Sequence, residues 1–238
     1  MTDRPDIRLA VLDMAGTTVA DDGLVHAAFD AALASAGITA GHPREPELRR
    51  HVADTMGQSK IEVFRAVFDE RTAQAANGAF EDSYLDQIGA GRAVALPGAA
   101  ETIAALRDAG IAVALTTGFS RGTQQRLVRS LGWEDTADLV LCPDDAGRGR
   151  PFPDLVLAAF LAVDPARRPD SVAQVAVVGD TASDVRTGVR AGASVVAGVL
   201  TGAHREPALR AAGATHVLAS VTELVELLLP AHTSSTAS

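Results

Sequence analysis

Lysine is almost absent from this sequence. Of 21 basic residues among 238, Lys60 is the one lysine, and arginine serves everywhere else. Arginine bias in the composition does not explain the single amine that remains. Cysteine is as scarce: Cys142 stands alone, which excludes an intramolecular disulfide and suits a reducing, cytoplasmic setting. Aromatic residues are few, and the lone Trp133 and Tyr84, like Cys142, sit outside any motif and read as packing residues. No apolar run reaches the ~18 residues that span a bilayer. The opening MTDRPDIRLA has no apolar stretch behind a basic one, so neither a membrane segment nor a signal peptide is expected. Acid exceeds base to give a net charge of -9. That balance argues against a nucleic-acid partner, because a phosphate backbone needs a basic face. A small anionic ligand stays compatible, since a local cluster of donors outweighs the net charge.

What is present is an alternation of short apolar runs and helical patterns. Strands are expected at Leu9–Leu12, Ala112–Leu115, Leu139–Leu141, Val175–Val178, Ser194–Val199 and His216–Leu218. Several are continuously apolar, as buried parallel strands are. Helices are expected at Ala99–Ala109, Ser120–Leu131, Asp154–Val163 and Ser183–Ala191, three of them closed by a glycine. The pattern implies an α/β fold: a doubly wound, Rossmann-like parallel sheet that binds ligands at the carboxyl ends of its strands. Residues 20–95 break the rhythm and read as helices at Val25–Ala36, Glu45–Asp54, Ser59–Asp69 and near Phe80–Ile88. We expect them to form a helical cap inserted in a core of residues 1–19 and 96–230, followed by a small, polar, disordered tail over 231–238.

The chemistry-bearing residues fall where such a sheet holds its ligands. Asp13 ends the first strand. "LTTGFS" puts Thr116 and Thr117 at the end of the second, with Gly118 permitting close backbone approach. "GRGRPFP" carries Arg150, and "VVGDTASD" sets Asp180 and Asp184 beyond a third strand at the mouth of a helix. Together they describe phosphoryl transfer. Asp13 attacks phosphorus to form an aspartyl-phosphate. Thr117 and backbone amides bind phosphoryl oxygens, and Arg150 supplies a permanent positive charge. Mg²⁺, a hard cation that favours oxygen, is expected at Asp13, Ala15 and Asp180, with Asp184 orienting that shell. Asp21, Asp22, Asp144 and Asp145 read as turn residues, and His26 as a surface residue.

The order D-x-x-G-T-T, T-T-G, R-P-x-P and G-D-x-x-S-D resembles the haloacid dehalogenase superfamily over nearly the whole chain. Most phosphatases of that superfamily carry a second acid two residues after the nucleophile, where this sequence has Ala15. Without a proton donor for the leaving group, worth roughly 10²–10⁴-fold, ester cleavage needs a substitute. "DMAGTTV" with "TMGQSKIEVFRAV" is similar to phosphonoacetaldehyde hydrolase, or phosphonatase. The resemblance implies that Lys60 forms a Schiff base with a phosphonate aldehyde, that the iminium accepts the P–C electrons, and that the cap mediates a homodimer. Met56 matches a methionine of that family and, with Gly118 and Thr17, is expected to bind substrate. The family's histidine three residues after the lysine is Val63 here, and the aromatic hydroxyl after T-T-G is Phe119.

"SKIE" is a capping-box pattern, with Ser59 at the N-cap and Glu62 three residues on. Lys60 then opens a helix, where the macrodipole disfavours its charged form. Ile61, Phe64 and Phe68 follow at helical spacing and read as core. Two other readings stand beside P–C cleavage. One is a phosphomonoesterase for sugar phosphates or nucleotides in which Lys60 only binds substrate. The other is a non-catalytic phospho-switch.

Overall fold

The apolar runs form the strands expected of them. In the computed structural model, which describes residues 6–21 and 23–229, these are β1 (Leu9–Asp13), β2 (Ala112–Thr116), β3 (Leu139–Leu141), β4 (Val175–Gly179), β5 (Val195–Val199) and β6 (His216–Leu218). They make one parallel sheet in the order β3-β2-β1-β4-β5-β6. The chain winds outward in both directions from β1, so the crevice of the doubly wound sheet opens between the carboxyl ends of β1 and β4. Asp13 is the last residue of β1, in register with Thr116 of β2.

Four helices stand between β1 and β2 ahead of the one that leads into β2: α1 (Leu24–Ser35), α2 (Glu45–Asp54), α3 (Lys60–Arg65) and α4 (Glu70–Gly89). The α3 helix is shorter than its apolar spacing suggests, because Asp69 leaves it to cap α4 by accepting the Thr72 amide at 3.0 Å. The α4 helix begins ten residues before the expected Phe80. Its first half buries only Ala73 and Ala76, which are too small to mark a helical period. The remaining helices are α5 (Ala99–Asp108), α6 (Arg121–Leu131), α7 (Asp154–Ala162), α8 (Ala182–Ala191), α9 (Glu206–Ala212) and α10 (Leu224–Leu228).

The helices before β2 share one apolar core with a face of the sheet. Leu12, Met14 and Leu115 belong to the same buried cluster as Phe29, Phe64, Phe80 and Tyr84. Phe80 is fully buried at its centre, edge-on to Phe29 at 4.8 Å. Truncation of such a side chain typically costs about 3–5 kcal/mol. The opposite face packs Leu9, Val11 and Val177 against Val156 and Ala159 of α7. Trp133 and Cys142 are buried, as expected of packing residues, and His26 is exposed. No helix among the described residues is long and apolar enough to cross a membrane. The expected tail over 231–238 and Asp22 lie outside the described residues.

Candidate active site

The turn after β1 is built to present Asp13. The amides of Thr17, Thr18 and Val19 all donate to the Met14 carbonyl, and the Thr18 hydroxyl donates to the Asp13 carbonyl at 2.9 Å. The carboxylate of Asp13 therefore leaves the sheet edge on a closed loop and is 5% exposed. Arg150 reaches it from the segment before α7. Nη1 of Arg150 lies 2.6 Å from Asp13 Oδ1 and 2.6 Å from Asp184 Oδ1. Its Nη2 donates to Thr116 Oγ1 at 3.0 Å, and Nη1 also donates to the Gly57 carbonyl at 3.4 Å. One guanidinium thus ties two carboxylates, the end of β2 and the loop before α3 together.

Asp184 is held from behind. It occupies the third position of α8, where its carboxylate accepts the Thr181 amide at 3.0 Å and the Thr181 hydroxyl, completing a capping box. Asp180 is held by a loop that sequence reasoning missed. After β5, the Ala203 amide donates to Asp180 Oδ2 at 2.7 Å and the Thr201 hydroxyl donates to the Gly16 carbonyl at 2.6 Å. A side chain at Gly202 would collide with the Asp180 carboxylate. The signal was a Thr-Gly pair, Thr201-Gly202, at a fourth strand end on the ligand edge of the sheet.

Asp13, Asp180 and Asp184 bring carboxylate oxygens within 4.8 Å of one another, all buried. Burial pushes Asp13 up to about 7, with Asp184 adding to the rise and Arg150 opposing it. Burial raises Asp180 well above the carboxylate range too, helped by Asp13 and Asp184. A buried all-oxygen donor set that resists its own charge fits a hard divalent cation. Ala15 lines the same cavity and has only its main-chain carbonyl to offer as a ligand.

Lys60 enters the cavity from the opposite side, as the first residue of α3. It is 6% exposed. Its Nζ lies 5.5 Å from the centre of the Phe29 ring, 5.7 Å from Phe80 and 5.5 Å from Phe119, and donates to the Gln58 carbonyl at 3.3 Å. Burial lowers its pKa to about 8, with Arg150 pushing the same way and Asp13, Asp21 and Asp184 opposing. The expected depression is present, and burial is its main cause. The expected capping box does not form. Ser59 occupies the N-cap position without a side-chain cap hydrogen bond, and the exposed Glu62 pairs instead with Arg65 at 2.7 Å. Ser59 is buried against Gly149, where a Cβ would stand 2.9 Å from its own Cβ.

Of the other expected site residues, Thr117, Gly118 and Met56 line the cavity with Asp13 and Lys60. The Thr117 hydroxyl accepts the Phe119 amide at 3.2 Å. Thr17 is not on the cavity wall. It is fully buried behind Asp180, with its hydroxyl 3.5 Å from Asp180 Oδ1. The cage rings and the Thr116 contact to Arg150 were also not foreseen, since Phe29, Phe80 and Phe119 come from three distant segments.

A phosphonoacetaldehyde hydrolase-like protein of Syntrophobacter fumaroxidans is 30% identical over 217 residues, 84% of this chain and 74% of that one. A phosphonoacetaldehyde hydrolase of Bacillus cereus is 34% identical over 113 residues, a match that spans 46% of this chain and 40% of the relative. The crystal structure of a phosphonoacetaldehyde hydrolase-like protein from Oleispira antarctica shares the fold, with a TM-score of 0.78 at 21% identity over 94% of this chain and 91% of that one. A family model for haloacid dehalogenase-like hydrolases matches residues 7–192. That span holds Asp13, Lys60, Arg150, Asp180 and Asp184 alike, and the chain belongs to the haloacid dehalogenase-like hydrolases.

Proposed function

We propose that this hydrolase cleaves the P–C bond of a small phosphonate aldehyde, phosphonoacetaldehyde or an analogue, with Asp13 as nucleophile and Lys60 as the imine-forming amine. The observation that carries the reading is the setting of Lys60. A surface lysine keeps its water and its ordinary pKa, whereas this amine is buried and its pKa is lowered to about 8. An amine that must attack a carbonyl needs access to its neutral form at working pH, and desolvation makes that form easier to reach.

In this scheme the Lys60 amine adds to the aldehyde and water leaves, giving a cationic imine. Asp13 attacks phosphorus, the P–C electrons flow into the imine, and the carbon fragment departs as an enamine on Lys60. The aspartyl-phosphate is then hydrolysed. Arg150 now pairs with both Asp13 and Asp184, and the phosphoryl group competes for the same guanidinium as it enters. Thr117 and the amides beside it face the phosphoryl oxygens. Asp13, Asp180 and the Ala15 carbonyl would hold Mg²⁺, which supplies further positive charge to the phosphoryl group.

Residues 20–95 act as a cap in this reading. The cavity is about 30 Å³, space for roughly one or two waters. Substrate entry therefore requires the α1–α4 helices to part from the sheet, and their return excludes water and delivers Lys60. A phosphate ester suits the site less well. Its leaving oxygen needs a proton, and Ala15 stands where a donor would be.

Borohydride added during turnover of phosphonoacetaldehyde should leave the reduced carbon fragment on Lys60, read by mass spectrometry, and Lys60→Arg should lose P–C cleavage. Turnover without an adduct, or phosphate release from esters that Lys60→Arg retains, would replace this reading with that of a phosphomonoesterase.

A further inference from the structure

The cavity wall carries one more ionisable group that this scheme leaves without a part. Asp21 lies between β1 and α1, half-buried, and lines the cavity with Lys60 and Asp13. Its Oδ1 accepts the Val25 amide at 2.8 Å, which fixes the carboxylate at the start of α1. Its charge is felt at Lys60, across the cavity.

The groups in direct contact with the amine cannot move a proton. Phe29, Phe80 and Phe119 are hydrocarbon, and the Gln58 carbonyl only accepts. Arg150 keeps its protons at any working pH. Among the described residues on the wall, the other carboxylates are Asp13, engaged by Arg150, and Asp180, held by the Ala203 amide. Yet imine formation needs a carrier, because an ammonium must become an amine and a hydroxyl must leave as water.

We propose that Asp21 is the acid–base residue of the Lys60 chemistry, an assignment that rests on the imine reading above. The carboxylate takes one proton from the Lys60 ammonium. The freed nitrogen pair forms the N–C bond to the aldehyde, and the C=O π pair moves to oxygen, which collects the second nitrogen proton. Asp21 then returns its proton to that hydroxyl as the C–O bond breaks. Water departs, the nitrogen pair closes the C=N bond, and Asp21 is a carboxylate again. The cycle needs no proton from outside, and its reverse releases the carbon product from Lys60.

Asp21→Asn keeps an oxygen for the Val25 amide, so the fold is preserved. With phosphonoacetaldehyde as substrate, the variant should lose about 10²–10³-fold in kcat with KM within a few fold. Borohydride trapping on a rapid-quench timescale should show the Lys60 adduct forming more slowly by a similar factor. Added formate should restore Asp21→Ala at least about tenfold, saturably, because a free carboxylate fills the vacated position. Near-normal turnover in Asp21→Asn, a loss confined to KM, or an Asp21→Ala defect that formate does not touch would overturn the assignment. An adduct in wild type with unaffected Asp21→Asn kinetics removes Asp21 alone. Turnover in wild type with no adduct removes the imine reading and this assignment together.

Discussion

The carbonyl oxygen of Gln58 stands 2.5 Å from the point where a Cβ on residue 118 would lie. Gly118 follows β2, and Gln58 precedes α3, so this contact is the seam between the sheet edge and the segment that carries Lys60. The Lys60 amide also donates to the Gly118 carbonyl across it, at 3.4 Å. Gly57, at φ 84°, closes the same seam on the other side, where a side chain would strike Thr181.

Gly118→Ala is therefore expected to push the segment carrying Lys60 away from Asp13. Overpacking of this kind costs about 1–3 kcal/mol. Activity should fall by at least tenfold while the chain still folds, read by thermal melts beside steady-state phosphate release. A Gly118→Ala enzyme with wild-type kcat/KM would show that the seam does not set the position of the amine.

The pKa of Lys60 sets a second expectation. Below about 8 the amine is mostly protonated, so in Asp21→Asn, where no carboxylate takes that proton, the rate of imine formation should rise close to tenfold per pH unit from about pH 6 and level off above 8, while the wild type holds level over the same range. Rapid trapping of the adduct across pH measures this limb directly. A limb that levels off two units higher would mean that burial does not lower the pKa of the amine.

How much of this was legible without coordinates follows from where each residue sits. Parallel strands buried on both faces are continuous apolar runs, so Leu9–Asp13 and Val175–Gly179 announce themselves, and Asp13 and Asp180 are found by looking just past them. Lys60 stood out because it is the only amine of its kind. The cage around it was not readable, since Phe29, Phe80 and Phe119 meet only through tertiary packing. The same holds for Glu62, which pairs with Arg65, and for Ser59, which is pressed against Gly149. The first half of α4 escaped because alanine buries too little surface to leave a periodic signature.

Tyr84 carries a stability expectation. Its ring packs on Phe119 at 4.4 Å, and its buried hydroxyl has no hydrogen-bond partner among the described residues. Leaving a buried donor unsatisfied costs about 1–3 kcal/mol. Tyr84→Phe should keep the ring contacts, remove that cost and raise the melting temperature by a few degrees. A lower melting temperature would mean that a bound water already satisfies the hydroxyl.

Arg150 is the group whose removal should be least tolerated. Its side chain is 3% exposed and holds Asp13 and Asp184, each 2.6 Å away. Arg150→Ala leaves two buried carboxylates without their cation, a change worth about 3–5 kcal/mol. Arg150→Lys keeps the charge but not the fork that reaches Thr116 as well. The lysine variant should fold and lose activity by about 10²-fold or more, separating geometry from charge. Equal activity in Arg150→Lys would assign the residue a purely electrostatic part.

Asp13 and Asp180 link the cation to stability. The folded pKa of Asp13, about 7, lies above the ordinary 3.8, so the folded chain holds a proton that the unfolded chain has released. That contribution is fully present below about 3.8 and is lost as pH rises through 7. Asp180 acts in the same direction. Without divalent ions, the melting temperature should therefore decline from mildly acidic to neutral pH as these buried groups are forced to ionise. Mg²⁺ binds the ionised cluster and competes with those protons, so its stabilising effect should be small near pH 5 and large near pH 8. Thermal melts with Mg²⁺ and with a chelator at both values test this. An equal Mg²⁺ effect at the two, or none at either, would mean that the three carboxylates do not form the cation site.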